Sequence, residues 1–276
     1  MKIIDRIAPT PITRSRAWAT LLILFTLAWG IGVWSAIKLR ISPNTPASDP
    51  LLTAFLGIVP PAIATSIAIA MYYRYLQTYN YLGQPISASE TPRTPWFARS
   101  QFLAGAAYVG LIGFGFIVGQ LISKLPFWDL IPIFGQSQSF PTGDQTLFGT
   151  VVALTLATLA GLSEEFILVA LPTVMLRAAG VNWKGAVTAL VLLRVSFHLY
   201  YGLPINIGIA IWALLAIWFY LRTGRIWAMA IAHSIWDIGT VLQLMNPVAD
   251  TAFNWIKGMC IAFAVIVLIA SMVKRK

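Results

Sequence analysis

Runs of roughly twenty mostly apolar residues recur along the whole chain, and no other feature limits its fold as strongly. Each run is long enough to cross about 30 Å of hydrocarbon as a helix. The 276-residue chain is 58% hydrophobic and only 10% charged, which is far from the composition of an ordinary soluble domain. The sequence therefore predicts an all-α integral membrane protein.

We expect about eight transmembrane helices. Their predicted bounds are 17–38, 51–74, 101–123, 146–176, 185–201, 204–221, 225–243 and 253–273. The fourth run is long enough to tilt or break, at Gly161 or Pro172. Proline-rich stretches at 75–100 and 124–145 predict loops. These connections favour an N-terminal membrane part at 1–100, with two spans and a cytoplasmic loop, followed by a six-span part at 101–276.

The basic residues predict the orientation of these spans. Fourteen of the 19 Lys and Arg residues fall on one side of an eight-span arrangement and four fall on the other, with Arg194 inside a span. Such a bias marks the cytoplasmic side, so both termini are expected in the cytoplasm. The net charge of +10 is explained by this topology, and we expect no nucleic-acid partner. The single cysteine, Cys260, excludes an internal disulfide.

Ionisable residues inside three of the runs indicate a functional site. Two are glutamates in the fourth run, and the others are both histidines of the chain and one aspartate; the full set is Glu164, Glu165, His198, His233 and Asp237. An ionisable group at membrane depth costs about 2.5–3.5 kcal/mol on insertion scales. At 1.5 Å per residue, all five can lie near the middle of the bilayer. We therefore place the catalytic core at about 145–243.

Helical spacing suggests how these groups meet. His233 and Asp237 are four residues apart and project from one face of a helix, as do Arg194 and His198. Arg194 is expected to face a carboxylate, with Glu164, Glu165 or Asp237 as candidates. Two chemistries use such a set: a carboxylate that activates water for attack on a carbonyl, or a metal ion held by histidines and carboxylates. Structural ion pairs are the alternative interpretation.

The ordered motifs resemble those of the CAAX protease and bacteriocin-processing (CPBP) intramembrane protease family. That family has a Glu-Glu pair followed by Arg, a Phe-x-x-x-His, and a His-x-x-x-Asn or Asp, on separate membrane helices. The matching residues here are Glu164 with Glu165, then His198, then His233 with Asp237. Neighbouring residues look like a bacterial branch of the family, which implies a bacterial inner membrane. The resemblance covers about residues 160–240.

Two positions depart from the family pattern. The Arg expected four residues after Glu165 is Val169, and the Phe expected four residues before His198 is Arg194. We hypothesise that Arg194 supplies, from the neighbouring helix, the carboxylate contact that the missing Arg would make.

The resemblance implies a role for each residue. Glu164 would be the general base and Glu165 would support it. His198 and His233 would position water or stabilise the oxyanion, and Asp237 would orient His233 or complete the oxyanion site. No cofactor is expected, because the chain has no third His and no suitably placed Cys, although zinc chemistry stays an open alternative.

The sequence thus predicts an intramembrane endopeptidase that hydrolyses a peptide bond with a glutamate-activated water. Its expected partners are the lipid bilayer and a peptide or membrane-protein substrate, prenylated or unmodified. The main alternative is a non-catalytic membrane scaffold or bacteriocin-immunity protein with the same fold. A transporter or proton relay is a third interpretation, but we find no internal repeat of the kind that many transporters carry.

Overall fold

Helices make up nearly all of the described structure. The computed structural model describes residues 12–41, 50–76, 100–126 and 146–273. Its elements are α1 (Arg14–Ile41), α2 (Pro50–Leu76), α3 (Gln101–Ser123), α4 (Leu147–Glu165), a π-helix (Phe166–Ala170), α5 (Leu171–Ala178), α6 (Trp183–Ser196), a 3-10 turn (Leu199–Tyr201), α7 (Leu203–Thr223), α8 (Ile226–Met245) and α9 (Pro247–Val273). The loops predicted at 75–100 and 124–145 lie almost wholly outside the described residues.

Each of the eight predicted spans overlaps a helix, although the fifth, at 185–201, extends past the end of α6 at Ser196. Six helical segments of the described chain are long and apolar enough to cross a membrane. These are α1, α2, α3, the continuous segment from α4 to α5, α7 and α9. α6 is the clearest exception, because its 14 residues span only about 21 Å. The fold is therefore that of an all-helical membrane protein, as predicted, while the count of eight spans stays a prediction.

The outer surface of the helix bundle is apolar. Large side chains such as Phe55, Leu147, Phe102 and Trp255 are at least half exposed. Such a surface suits lipid tails and would be a liability in water. The described part of the chain thus carries the surface expected of a membrane-embedded protein.

The fourth span does not break at Gly161 or Pro172; it stays helical and widens into a π-turn between these positions. Residues 166–170 form a π-helix, in which the N–H of Leu171 donates to the carbonyl of Phe166. Pro172 follows directly, and proline has no N–H to continue the α-helical ladder. The widened turn begins immediately after Glu165, and π-turns inside α-helices are frequent at functional sites.

Small residues set the close helix contacts that position the site. A Cβ added at Gly161 of α4 would overlap the backbone nitrogen and the hydroxyl of Ser234 in α8. The hydroxyl of Ser234 also donates to the carbonyl of Thr158 at 2.8 Å. Because lipid tails are as apolar as the helices, tight packing of this kind is a main source of helix association in membranes. α4 and α8 therefore cross closely within one turn of Glu164 and His233.

This crossing gives a test of the packing. Gly161→Ala should destabilise the protein by about 1–3 kcal/mol, because the added methyl group forces two backbones apart. Gly32→Ala in α1 is the control, since nothing lies within 4 Å of a Cβ added there. Thermal unfolding in detergent would measure both. Equal unfolding temperatures for Gly161→Ala and the wild type would show that the crossing tolerates separation.

Candidate active site

The two glutamates lie at the buried end of α4, immediately before the π-helix. Glu164 is 4% exposed and Glu165 is fully buried. Burying carboxylates here without partners would cost much free energy, so the groups that contact them determine the chemistry of the site. Those partners come from three other helices: α3, α6 and α8.

Glu165 joins these helices through one oxygen. Its Oε1 accepts hydrogen bonds from the Tyr108 hydroxyl at 2.7 Å, from Arg194 Nη2 at 3.0 Å and from His233 Nδ1 at 2.9 Å. Hydrogen bonds to an ionised acceptor are about twice as strong as neutral ones. Three donors on one oxygen hold this carboxylate in a single orientation.

Arg194 lies between the two glutamates, as the sequence predicted for a carboxylate partner. Besides its bond to Glu165, its Nε lies 3.4 Å from Glu164 Oε2. The guanidinium is 1% exposed and stacks over the Trp212 ring, 4.5 Å from the ring centroid. A planar, always charged guanidinium suits a position between two carboxylates and an aromatic face. Val169, where the family pattern has its Arg, is a buried apolar residue of the π-helix.

His233 lies between two carboxylates. Its Nδ1 contacts Glu165, and its Nε2 lies 3.5 Å from Asp237 Oδ2 on the next turn of α8. The predicted relation between His233 and Asp237 on one helix face is therefore present. The Asp237 side chain is 29% exposed, much more than either glutamate. Asp237 thus lies on the open side of the cluster, while Glu165 lies at its closed end.

His198 lies beyond the end of α6, in a turn, and not inside a membrane-spanning helix as its apolar surroundings suggested. Its Nδ1 donates to the backbone carbonyl of Arg194 at 2.8 Å, which leaves Nε2 as the acceptor of a neutral imidazole. Asn206 holds the turn by donating to the carbonyls of His198 and Gly202. Gly202 has a φ of +87°, a conformation that favours glycine.

An aromatic stack supports this turn from α1. Phe197, next to His198, lies parallel to Trp29 with 4.9 Å between the ring centroids, and Phe25 packs beside both rings. The first span therefore contacts the element that carries a candidate catalytic histidine.

All five predicted residues thus belong to one cluster. The Arg194 side chain contacts both Glu164 and Glu165. The His233 ring contacts both Glu165 and Asp237. His198 joins the cluster through its hydrogen bond to the backbone carbonyl of Arg194. Their catalytic roles stay predictions.

Sequence reasoning missed two residues of this cluster, Tyr108 and Trp212. Both are buried in the interior of apolar helices, where an aromatic residue is normally interpreted as part of the hydrophobic core. The available signal for Tyr108 was its place about 10 Å inside a span, away from the ends where Tyr is enriched. Trp212 carries no motif, and its ring contacts His233 edge-on at 4.9 Å.

Several of the atoms in this cluster that could bind a metal ion are engaged with one another. Among the described residues, no group of three His, Cys, Asp or Glu side chains is placed to hold a metal ion. Both ring nitrogens of His233 face carboxylate oxygens, and Glu165 Oε1 is occupied by three donors. A metal would have to displace these contacts, and metal-bound histidine normally keeps one nitrogen for the metal.

Comparison with known proteins agrees with the motifs. Residues 146–239 match the family model described as type II CAAX prenyl endopeptidase Rce1-like. The match covers the chain from the start of α4 into α8 and so includes all five predicted site residues, but neither α1 nor Tyr108. A search of curated proteins and a search of solved structures both found no match. The chain is therefore an integral membrane protein that carries a domain of the Rce1-like family, the CAAX prenyl endopeptidase type of the CPBP proteases.

Proposed function

We propose that the protein is an intramembrane endopeptidase in which Glu164 activates the water that hydrolyses a peptide bond. The unequal surroundings of the two adjacent glutamates carry this proposal. Both glutamates keep Oε2 without a hydrogen bond, but Glu165 Oε1 accepts three hydrogen bonds, whereas Glu164 is held only by the 3.4 Å ion pair between its Oε2 and Arg194 Nε. Three donors stabilise the ionised form of Glu165 and make it a poor proton acceptor, so Glu164 is the better base.

The remaining groups supply the other steps. Glu164 takes a proton from water, the water oxygen attacks the carbonyl carbon, and the same proton then passes to the leaving amine as the C–N bond breaks. The neutral Nε2 of His198 accepts a hydrogen bond from the second O–H of the water, which stays bonded to the oxygen, and so orients the attacking lone pair. The 3.5 Å contact between His233 Nε2 and Asp237 is long for a hydrogen bond, so the Nε2–H can donate to the developing oxyanion without rotation of the ring.

Asp237 and Glu165 hold the His233 ring from opposite sides. Each ring nitrogen then carries a hydrogen that faces a carboxylate, and the two carboxylates stabilise a positive charge on the imidazole. The substrate enters on the side of Asp237, because its carboxylate is the most exposed of the cluster. We propose a peptide or membrane protein as substrate, with a prenylated chain as the alternative that the family name suggests.

The placement in the cell is also a proposal. The charge bias of the sequence supports cytoplasmic termini and the motif context supports a bacterial inner membrane. With residues 101–276 as the catalytic part, the N-terminal spans would be an accessory membrane part. The Trp29 ring nevertheless stacks on Phe197, so α1 contacts the turn that carries His198.

Replacing the proposed base tests the function directly. Glu164→Gln should lower cleavage by at least 10²-fold, because an amide cannot accept the proton from water. The control is Asp250→Asn, which changes an exposed acid at the start of α9 whose carboxylate binds Gln243. Purified protein in vesicles would be assayed on lipidated and unlipidated peptides. Absence of cleavage by folded wild-type protein would favour the scaffold instead.

Chelation tests the metal-free reaction. Addition of EDTA or 1,10-phenanthroline should leave kcat within about twofold of its untreated value, because no described donor set fits an ion. If the chelator abolished cleavage and added zinc restored it, this expectation would be wrong and the histidines would be metal ligands.

The position of the arginine gives a third test. Arg194→Phe should cost about 3–5 kcal/mol of stability and most of the cleavage, because it leaves two buried carboxylates without their cation. Adding Val169→Arg should restore part of both, since the new guanidinium starts four residues after Glu165. Val169→Arg alone is the control for the cost of burying that side chain. No recovery over Arg194→Phe alone would disprove the idea that Arg194 replaces the family arginine.

A further inference from the structure

Tyr108 brings a group from outside the matched family segment into the site. It lies on α3, its ring is fully buried, and its hydroxyl donates to Glu165 Oε1 at 2.7 Å. This is the shortest of the three hydrogen bonds to that oxygen. A buried tyrosine hydroxyl needs a partner, but here the partner is a side chain that also binds His233.

α3 is fixed tightly enough to make this contact specific. A Cβ at Gly115 would lie 2.7 Å from Trp212 Cβ and 2.8 Å from the Gly208 carbonyl of α7. On its other side, Gly110 contacts the backbone of Cys260 in α9 too closely to admit a side chain. The Tyr108 ring packs against Phe219, with 5.6 Å between centroids. Close backbone contacts on two sides leave α3 little freedom to rotate or slide.

We propose that Tyr108 is a positioning residue that fixes Glu165 and, through it, the imidazole of His233. Its hydroxyl is the third donor that converges on Oε1, so the carboxylate cannot rotate without losing a hydrogen bond to Tyr108 as well as those to Arg194 and His233. The same hydrogen bond stabilises the ionised form of Glu165, which then only accepts hydrogen bonds and leaves the role of base to Glu164. α3 is then part of the active site, although the family match begins after it.

Tyr108→Phe removes only the hydroxyl and tests this inference, which rests on the proposed function. We expect kcat to fall about tenfold or more, the effect of losing one charge-assisted hydrogen bond, with KM within twofold of wild type. Tyr72→Phe is the matched control. It removes a buried tyrosine hydroxyl that accepts from Tyr220 at 3.0 Å, outside the cluster. A kcat for Tyr108→Phe within twofold of wild type would overturn the inference.

A spectroscopic measurement separates this inference from the proposed function. The imidazole ¹⁵N resonances of labelled protein, assigned by replacing each histidine, report the Nδ1 hydrogen bond of His233 without any substrate. Tyr108→Phe should shift the His233 resonances more than those of His198, and Tyr72→Phe should shift neither. In a Glu165→Gln background, the additional effect of Tyr108→Phe should vanish.

An unchanged His233 spectrum in Tyr108→Phe would reject the positioning role whether or not the protein cleaves peptides. A shifted His233 spectrum in a protein without peptidase activity would support the positioning role and reject the proposed reaction.

Discussion

The ion and hydrogen-bond cluster around Glu165 Oε1 is the interaction on which the rest of the site depends. One oxygen accepts from Tyr108 on α3, Arg194 on α6 and His233 on α8, so a single atom joins four helices. In a membrane interior, a carboxylate without such partners would be costly to bury. The cluster is stable because each donor offsets part of that cost. Removing any one donor would leave the buried charge of Glu165 less compensated.

The packing around the cluster explains why the donors can reach it. α4 approaches α8 closely because position 161 carries no side chain, and α3 approaches α7 and α9 through Gly115 and Gly110. These approaches would be lost if larger residues occupied the same positions. The close approach of helix backbones and the polar cluster therefore support each other: the first brings the groups within hydrogen-bonding distance, and the second compensates for their burial.

Two adjacent glutamates in one helix acquire different properties from their surroundings. The pair is chemically identical in the sequence, and both side chains keep Oε2 without a hydrogen bond, yet Glu165 binds three donors through Oε1 while Glu164 is held by one ion pair with Arg194. Neighbouring carboxylates that differ in this way are a recurrent solution for dividing catalytic and supporting roles. The π-helix that begins after Glu165 contributes, because it changes the direction of the chain next to the pair.

The sequence by itself determined the helical membrane fold, the positions of the helices and the set of charged residues, because these follow from local hydropathy and from the cost of burying charge. It also indicated that Arg194 meets a carboxylate. Only the tertiary structure decided that both glutamates share Arg194, that His198 lies in a turn, and that Tyr108 and Trp212 belong to the cluster. Those facts depend on contacts between helices far apart in the chain, and an aromatic residue in an apolar run carries no local signal of its partner.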